Sequence, residues 1–208
     1  MIPRWQQVVI VLSATIGWPL AMSRWWVADF YVALGVLAPL LAAASLVAGR
    51  HRLRSWFVVD RRAVAFGLWG GLVQAVLTHV GYGLLASRVP ALREQVVALY
   101  ALMGTGLGPM RALPILVVAV AVEEVVWRGV ALDRAESGRG WVGYGMVSTL
   151  LYTLAQAGSG SWALAVTAFG CGWVWWAARR WGGSLTASVL MHLIWSLIVL
   201  VFLPLEST

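Results

Sequence analysis

Residues 112–132 read ALPILVVAVAVEEVVWRGVAL. The run is long enough to cross a bilayer, which takes about 20 mostly apolar residues as a helix. Backbone polar groups have no water partners in hydrocarbon, so a run of this kind satisfies them internally and reads as helix despite its many valines. Yet Glu123, Glu124 and Arg128 stand in its second half. Ionisable groups at such depth cost roughly 2.5–3.5 kcal/mol each on insertion scales, and those that persist have a task.

The rest of the chain settles that hydrocarbon is the solvent. Of 208 residues, 61% are hydrophobic and 11% charged, against roughly 45–50% and about 25% in ordinary soluble domains. Too few polar side chains remain to cover a soluble globule. Six further stretches resemble 112–132 in length and apolarity, at 5–22, 25–49, 63–87, 141–158, 161–178 and 184–204. The expected architecture is all-α, a polytopic transmembrane bundle of about seven spans. It forms one domain over residues 1–208, with no repeat, linker or break in composition. Residues 91–111 hold a moderately apolar run followed by Gly104, Gly106, Gly108 and Pro109. They read as a short interfacial or re-entrant helix, with an eighth span as the alternative. The first stretch lacks a small-x-small cleavage site and reads as a retained span.

All 15 basic residues are arginine, and a net charge of +7 is of the sign that nucleic acid attracts. The arginines, however, fall in short gaps between apolar runs, the pattern of topology signals, so no nucleic-acid partner is expected. Arg4, the Arg50–Arg62 group, Arg128, Arg134, Arg139, Arg179 and Arg180 fall on one side, and Arg24, Arg88, Arg93 and Arg111 on the other. For an odd number of spans, the N-terminus is cytoplasmic. Trp5, Trp25, Trp26, Trp141 and Trp181 lie near span ends, where interfacial anchoring is expected. Gly67 and Gly71 form a GxxxG pair, and Gly143/Gly145 and Gly170/Gly172 recur in the same way; close helix packing accounts for them. Cys171 is alone, so it forms no intrachain disulfide.

The ionisable candidates within spans are Asp29, His79, Glu123, Glu124, Arg128 and His192, with Gln74, Gln156 and Ser196 as neutral polar companions. Glu124 and Arg128 are four apart with the acid first, the favourable order for a helical ion pair. Glu123 is turned by about 100° from Glu124 and faces another part of the bundle. One carboxylate is neutralised locally and one is left over, which suits a general base acting on water. The competing reading is a charged helix end reaching for the interface, with Arg128 near the end of its span. His192 and Ser196 share a helical face, as do Tyr152 and Gln156. For His192 the alternative is a packing residue hydrogen-bonded to a neighbouring helix. His79 and Asp29 have no partner at informative spacing and read as structural or interfacial, while His51 reads as a solvated loop residue. No HExxH helix or Cys/His ligand spacing is present, and nothing in the spacing asks for a metal or other cofactor. Gly158-Ser159-Gly160-Ser161 lacks the serine at the third position of a rhomboid-type G-x-S-G.

Glu-Glu-x-x-x-Arg at 123–128, an aromatic-x-x-x-polar motif at 152–156 and a His-led motif at 192–196 together resemble the CAAX-protease and bacteriocin-processing (CPBP) family. These are glutamic-type intramembrane endopeptidases built as helix bundles. The resemblance covers roughly residues 112–200. The first motif matches fully. In the second, Tyr152 stands for Phe and Gln156 for His; the third keeps His192 and has Ser196 in place of Asn or Asp. The resemblance implies that Glu123 activates the attacking water, with Glu124 and Arg128 organising the helix. Gln156 would orient that water, and His192 and Ser196 would stabilise the oxyanion. The implied substrate is a membrane-anchored protein or peptide. Some prokaryotic members act as sorting enzymes that cleave C-terminal membrane anchors, and a myxosortase-like subgroup in a prokaryotic inner membrane is the specific expectation. Two alternatives stay open. One is a catalytically silent relative, a scaffold or immunity-type partner, suggested by Gln156 and Ser196. The other is a proton-coupled carrier using Asp29, His79 and the glutamates, which ranks last because no inverted half-repeat is seen.

Overall fold

The structure is a computed structural model that describes residues 1–23, 30–104, 109–133 and 140–206. These residues form an all-α bundle of nine α-helices. They are α1 (Arg4–Met22), α2 (Phe30–Ala48), a one-turn α3 (Leu53–Trp56), α4 (Arg61–Ala86), α5 (Pro90–Gly104), α6 (Pro109–Glu124), α7 (Trp141–Ala157), α8 (Trp162–Gly182) and α9 (Leu185–Leu197). Two of them run on as π-helical turns, α6 into Val125–Val130 and α9 into Ile198–Phe202. Each of the seven apolar stretches therefore becomes a helix. By length and composition Arg4–Met22, Arg61–Ala86 and Leu185–Phe202 can cross a membrane, and Val32–Ala48 is a shorter apolar helix. Helix α5 has 15 residues. At about 1.5 Å per residue it falls short of a hydrocarbon core of roughly 30 Å. Asp29, Trp25, Trp26, Arg24, Arg134 and Arg139 lie outside the described residues.

Polar side chains set the helix ends. The Asp60 carboxylate accepts from the Ala63 amide at 2.7 Å and opens α4. Ser161 caps α8 through the Leu164 amide, and Ser184 caps α9 through the Thr186 amide. Between these last two helices Gly183 adopts φ 75°, a left-handed conformation that suits glycine and stops α8. Helix α8 ends later than its apolar run suggests. Arg179 and Arg180, expected in a gap between spans, lie in its final turns, and Arg179 is buried.

Helix α4 packs against α9 through the GxxxG pair. A Cβ at Gly71 would come within 2.8 Å of the Ile194 Cβ, and one at Gly67 would meet Leu190 just as closely. The two other glycine pairs divide. Gly145 lies under Trp176 and Gly172 under Thr149, while Gly143 and Gly170 face open space. Helices α7 and α8 form a hairpin, α1 leans on α2 and α7, and α6 lies between α2 and α9. Beyond the π turn, the buried Asp133 accepts from the Ile2 amide at 2.6 Å and from Arg52 Nε at 3.1 Å, tying three segments together. Asp133→Ala removes the acceptor of both contacts and is expected to cost about 1–3 kcal/mol. Thermal unfolding in detergent checks this; an unchanged midpoint would show that the tie contributes nothing.

Candidate active site

The π turn directly after Glu124 is closed by the Ala131 amide donating to the Val126 carbonyl at 2.9 Å. Turns of this type often lie beside functional residues. Here the turn follows two adjacent glutamates that have different neighbours apart from a shared His192. Glu124 points into the bundle and has no exposed surface. Its Oε1 accepts from Arg128 Nη1 at 3.0 Å and lies 2.9 Å from His192 Nδ1. The guanidinium does not reach for the interface, which overturns the reading of a snorkelling helix end. Arg128 is 2% exposed, and its Nη2 donates to the Gly172 carbonyl at 3.2 Å. The Tyr152 and Trp175 rings cover it at 4.7 and 5.2 Å, a cation–π arrangement that helps a desolvated charge. It is therefore no topology signal.

Glu123 points towards α7. Gln156 Nε2 donates to its Oε1 at 2.6 Å, and the Tyr152 hydroxyl lies 3.3 Å from its Oε2. His192 reaches both acids, since its Nε2 is 3.7 Å from Glu123 Oε2. Glu123, Tyr152, Gln156, His192 and Ser196 all line one cavity of about 610 Å3. Ser196 stands one turn beyond His192 on α9 and is buried. Three helices thus bring Glu123, Gln156 and His192 to one place, with Glu124 and Arg128 behind them. The remaining cavity wall is mostly apolar, with Trp18, Leu34, Val96, Leu116 and Leu200 among its residues. The segment after α9 lines the cavity too, through Pro204, Leu205 and Glu206. There Glu206 accepts from Tyr82 at 2.6 Å and from Arg93 at 2.9 and 3.2 Å. The Tyr82 hydroxyl and the Arg93 guanidinium hold the Glu206 carboxyl below its usual range. His79 meets this segment as well: its ring nitrogens lie 2.8 Å from the Ala75 and Leu203 carbonyl oxygens, a structural tie between α4 and the chain beyond α9. Among the described residues, no group of three or more His, Cys, Asp or Glu side chains is placed to hold a metal ion.

One contributor escapes the sequence reading. Trp175 stacks on the His192 ring at 3.4 Å between centroids and 15° between planes. Its indole N–H donates to Gln74 Oε1 on α4 at 3.0 Å, which accounts for that buried glutamine. The signal available in sequence is spacing. Cys171, Gly172, Trp175, Ala178 and Arg179 share one buried face of α8, on which Trp175 is the lone aromatic residue. Trp175→Phe keeps a ring over His192 but takes from the buried Gln74 Oε1 its indole donor, at a cost of about 1–3 kcal/mol. The variant is expected to melt correspondingly lower, and an equal midpoint would refute the role given to this hydrogen bond.

A buried carboxylate and an imidazole backed by an ion pair thus lie side by side at a largely apolar cavity of the helical bundle. Residues 105–198 match the family model described as Type II CAAX prenyl endopeptidase Rce1-like. Over this segment the chain is similar to that family, which agrees with the CPBP resemblance of its three motifs. No curated protein and no solved structure matches the chain.

Proposed function

We propose that the protein is an intramembrane endopeptidase that hydrolyses a peptide bond of a membrane-anchored protein with water activated by Glu123. One observation carries this reading: Glu123, Gln156 and His192 converge from three helices on a single, largely apolar cavity. Water held between Glu123 Oε2 and His192 Nε2 attacks the scissile carbonyl carbon as its proton passes to Glu123. Gln156 orients the carboxylate and, through it, the water; it can donate and accept hydrogen bonds but cannot take up a proton as imidazole does. The carbonyl electron pair moves to oxygen, and the resulting oxyanion is met by His192 and Ser196. With Nδ1 committed to Glu124, the His192 ring carries both protons when Nε2 donates. The Glu124 carboxylate and the oxyanion then balance the imidazolium and the Arg128 guanidinium, Glu123 being neutral with the water's proton. Collapse of the intermediate breaks the C–N bond, and Glu123 returns its proton to the departing amine.

The apolar wall fits a substrate segment that itself lies in or at the membrane. Its specific case, in this reading, is removal of a C-terminal sorting anchor from surface proteins by a myxosortase-like enzyme in a prokaryotic inner membrane. The test compares anchoring of surface proteins in cells with the gene, without it, and with Glu123→Gln. Retained anchor segments in the last two support the reading. Unchanged anchors without the gene would reject the sorting role, and normal processing by Glu123→Gln would reject the chemistry.

A further inference from the structure

Position 152 carries a hydroxyl in the chain's second motif, where the CPBP pattern has a plain phenyl ring. Tyr152 is 4% exposed, and its ring is fixed on three sides. Trp127 and Trp175 lie at 6.0 Å between centroids, and the Arg128 guanidinium at 4.7 Å. Such packing leaves the ring little freedom, so its hydroxyl has a defined position at the cavity, 3.3 Å from Glu123 Oε2. That separation is longer than an ordinary O–H···O bond, but hydrogen bonds at catalytic groups commonly tighten only when substrate is present. One turn along α7, Gln156 takes the other oxygen at 2.6 Å. Both oxygens of Glu123 thus meet a donor from the same helix, and neither donor can accept the water's proton.

We infer that Tyr152 is a positioning residue. Its hydroxyl and the Gln156 amide together fix the Glu123 carboxylate, the work that a single imidazole would do at position 156. This rests on Glu123 being the base. The pairing explains how the second motif can lack its histidine and the site still present an oriented carboxylate. Gln156 bonds Oε1 alone, and without the hydroxyl Oε2 has no donor from α7, so the carboxyl plane is held at one oxygen instead of two.

Two measurements test it. In the infrared difference between the wild-type protein and Glu123→Gln, the carboxyl band of Glu123 is expected to shift on Tyr152→Phe, with no substrate needed. With a quenched farnesylated CAAX peptide as probe, Tyr152→Phe is expected to lower kcat about tenfold with KM unchanged, the size of one lost hydrogen bond to a charged group. Tyr152→Phe/Gln156→His is expected to regain most of that rate. An unshifted band, a wild-type kcat in Tyr152→Phe, or a double variant no faster than Tyr152→Phe each overturns the inference. A fall in thermal midpoint with a raised KM would also overturn it, marking a structural role. Activity retained by Glu123→Gln would instead defeat the underlying reading, while the band shift reports on the hydrogen bond independently of turnover.

Discussion

Glu123→Gln is expected to lower peptide cleavage by roughly 10²–10⁴-fold, the range supplied by a positioned general base. The substitution keeps the size and planarity of the side chain, so the helix, the cavity and the neighbouring ion pair are retained. What disappears is the ability to take the proton from water. A fold effect is small for a further reason. Glu124, not Glu123, carries the bonds to Arg128 and to His192 Nδ1. The measurement is turnover of a farnesylated CAAX reporter by the purified protein, together with retention of surface-protein anchors in cells. A Glu123→Gln protein that processes substrate as well as the wild type would remove Glu123 from the chemistry. If the variant also complemented a deletion strain fully, the chain would act as a scaffold and not as a peptidase.

The second large effect is on stability. Arg128→Met is expected to destabilise the bundle by about 3–5 kcal/mol, because Glu124 would remain charged and buried without its cation. The guanidinium also holds the Gly172 carbonyl and fills the space between the Tyr152 and Trp175 rings. Methionine matches much of that volume, so the loss reports on charge more than on packing. The double variant Glu124→Gln/Arg128→Met separates the two, since removing both charges together commonly restores stability. It is expected to melt above Arg128→Met. Equal midpoints for the single and double variants would show that an unpaired Glu124 is not the source of the loss.

The residues that sequence makes legible share one property: their partners are close along a helix, or their cost in hydrocarbon is high. The Glu124–Arg128 pair follows from spacing alone, and the Gly67/Gly71 contact with α9 follows from small residues on one face. Gln156 and His192 are visible because polar atoms in apolar runs demand a reason. Trp175 is hidden by the opposite circumstance. A tryptophan in a Trp-rich apolar run costs nothing there, and its role exists only once α4 and α9 flank it. Arg128 and Arg179, read in gaps between spans, lie buried inside helical turns, because a charge near a run's end looks the same whether the helix stops there or continues. The tie of Asp133 to Ile2 and Arg52 spans 131 and 81 residues, beyond any local pattern.

The π turn at Val125–Val130 separates two anchorages. On one side the glutamates are aimed at Gln156, Arg128 and His192; on the other Asp133 is aimed at Ile2 and Arg52. A π turn holds one residue more than the α turn it replaces, and one residue is about 100° of rotation. A homologue shorter by one residue here would wind as plain α-helix and could keep either anchorage in phase, but not both. The turn therefore works as a vernier on the helix, matching the angle of the buried glutamate pair to the angle of a structural rivet.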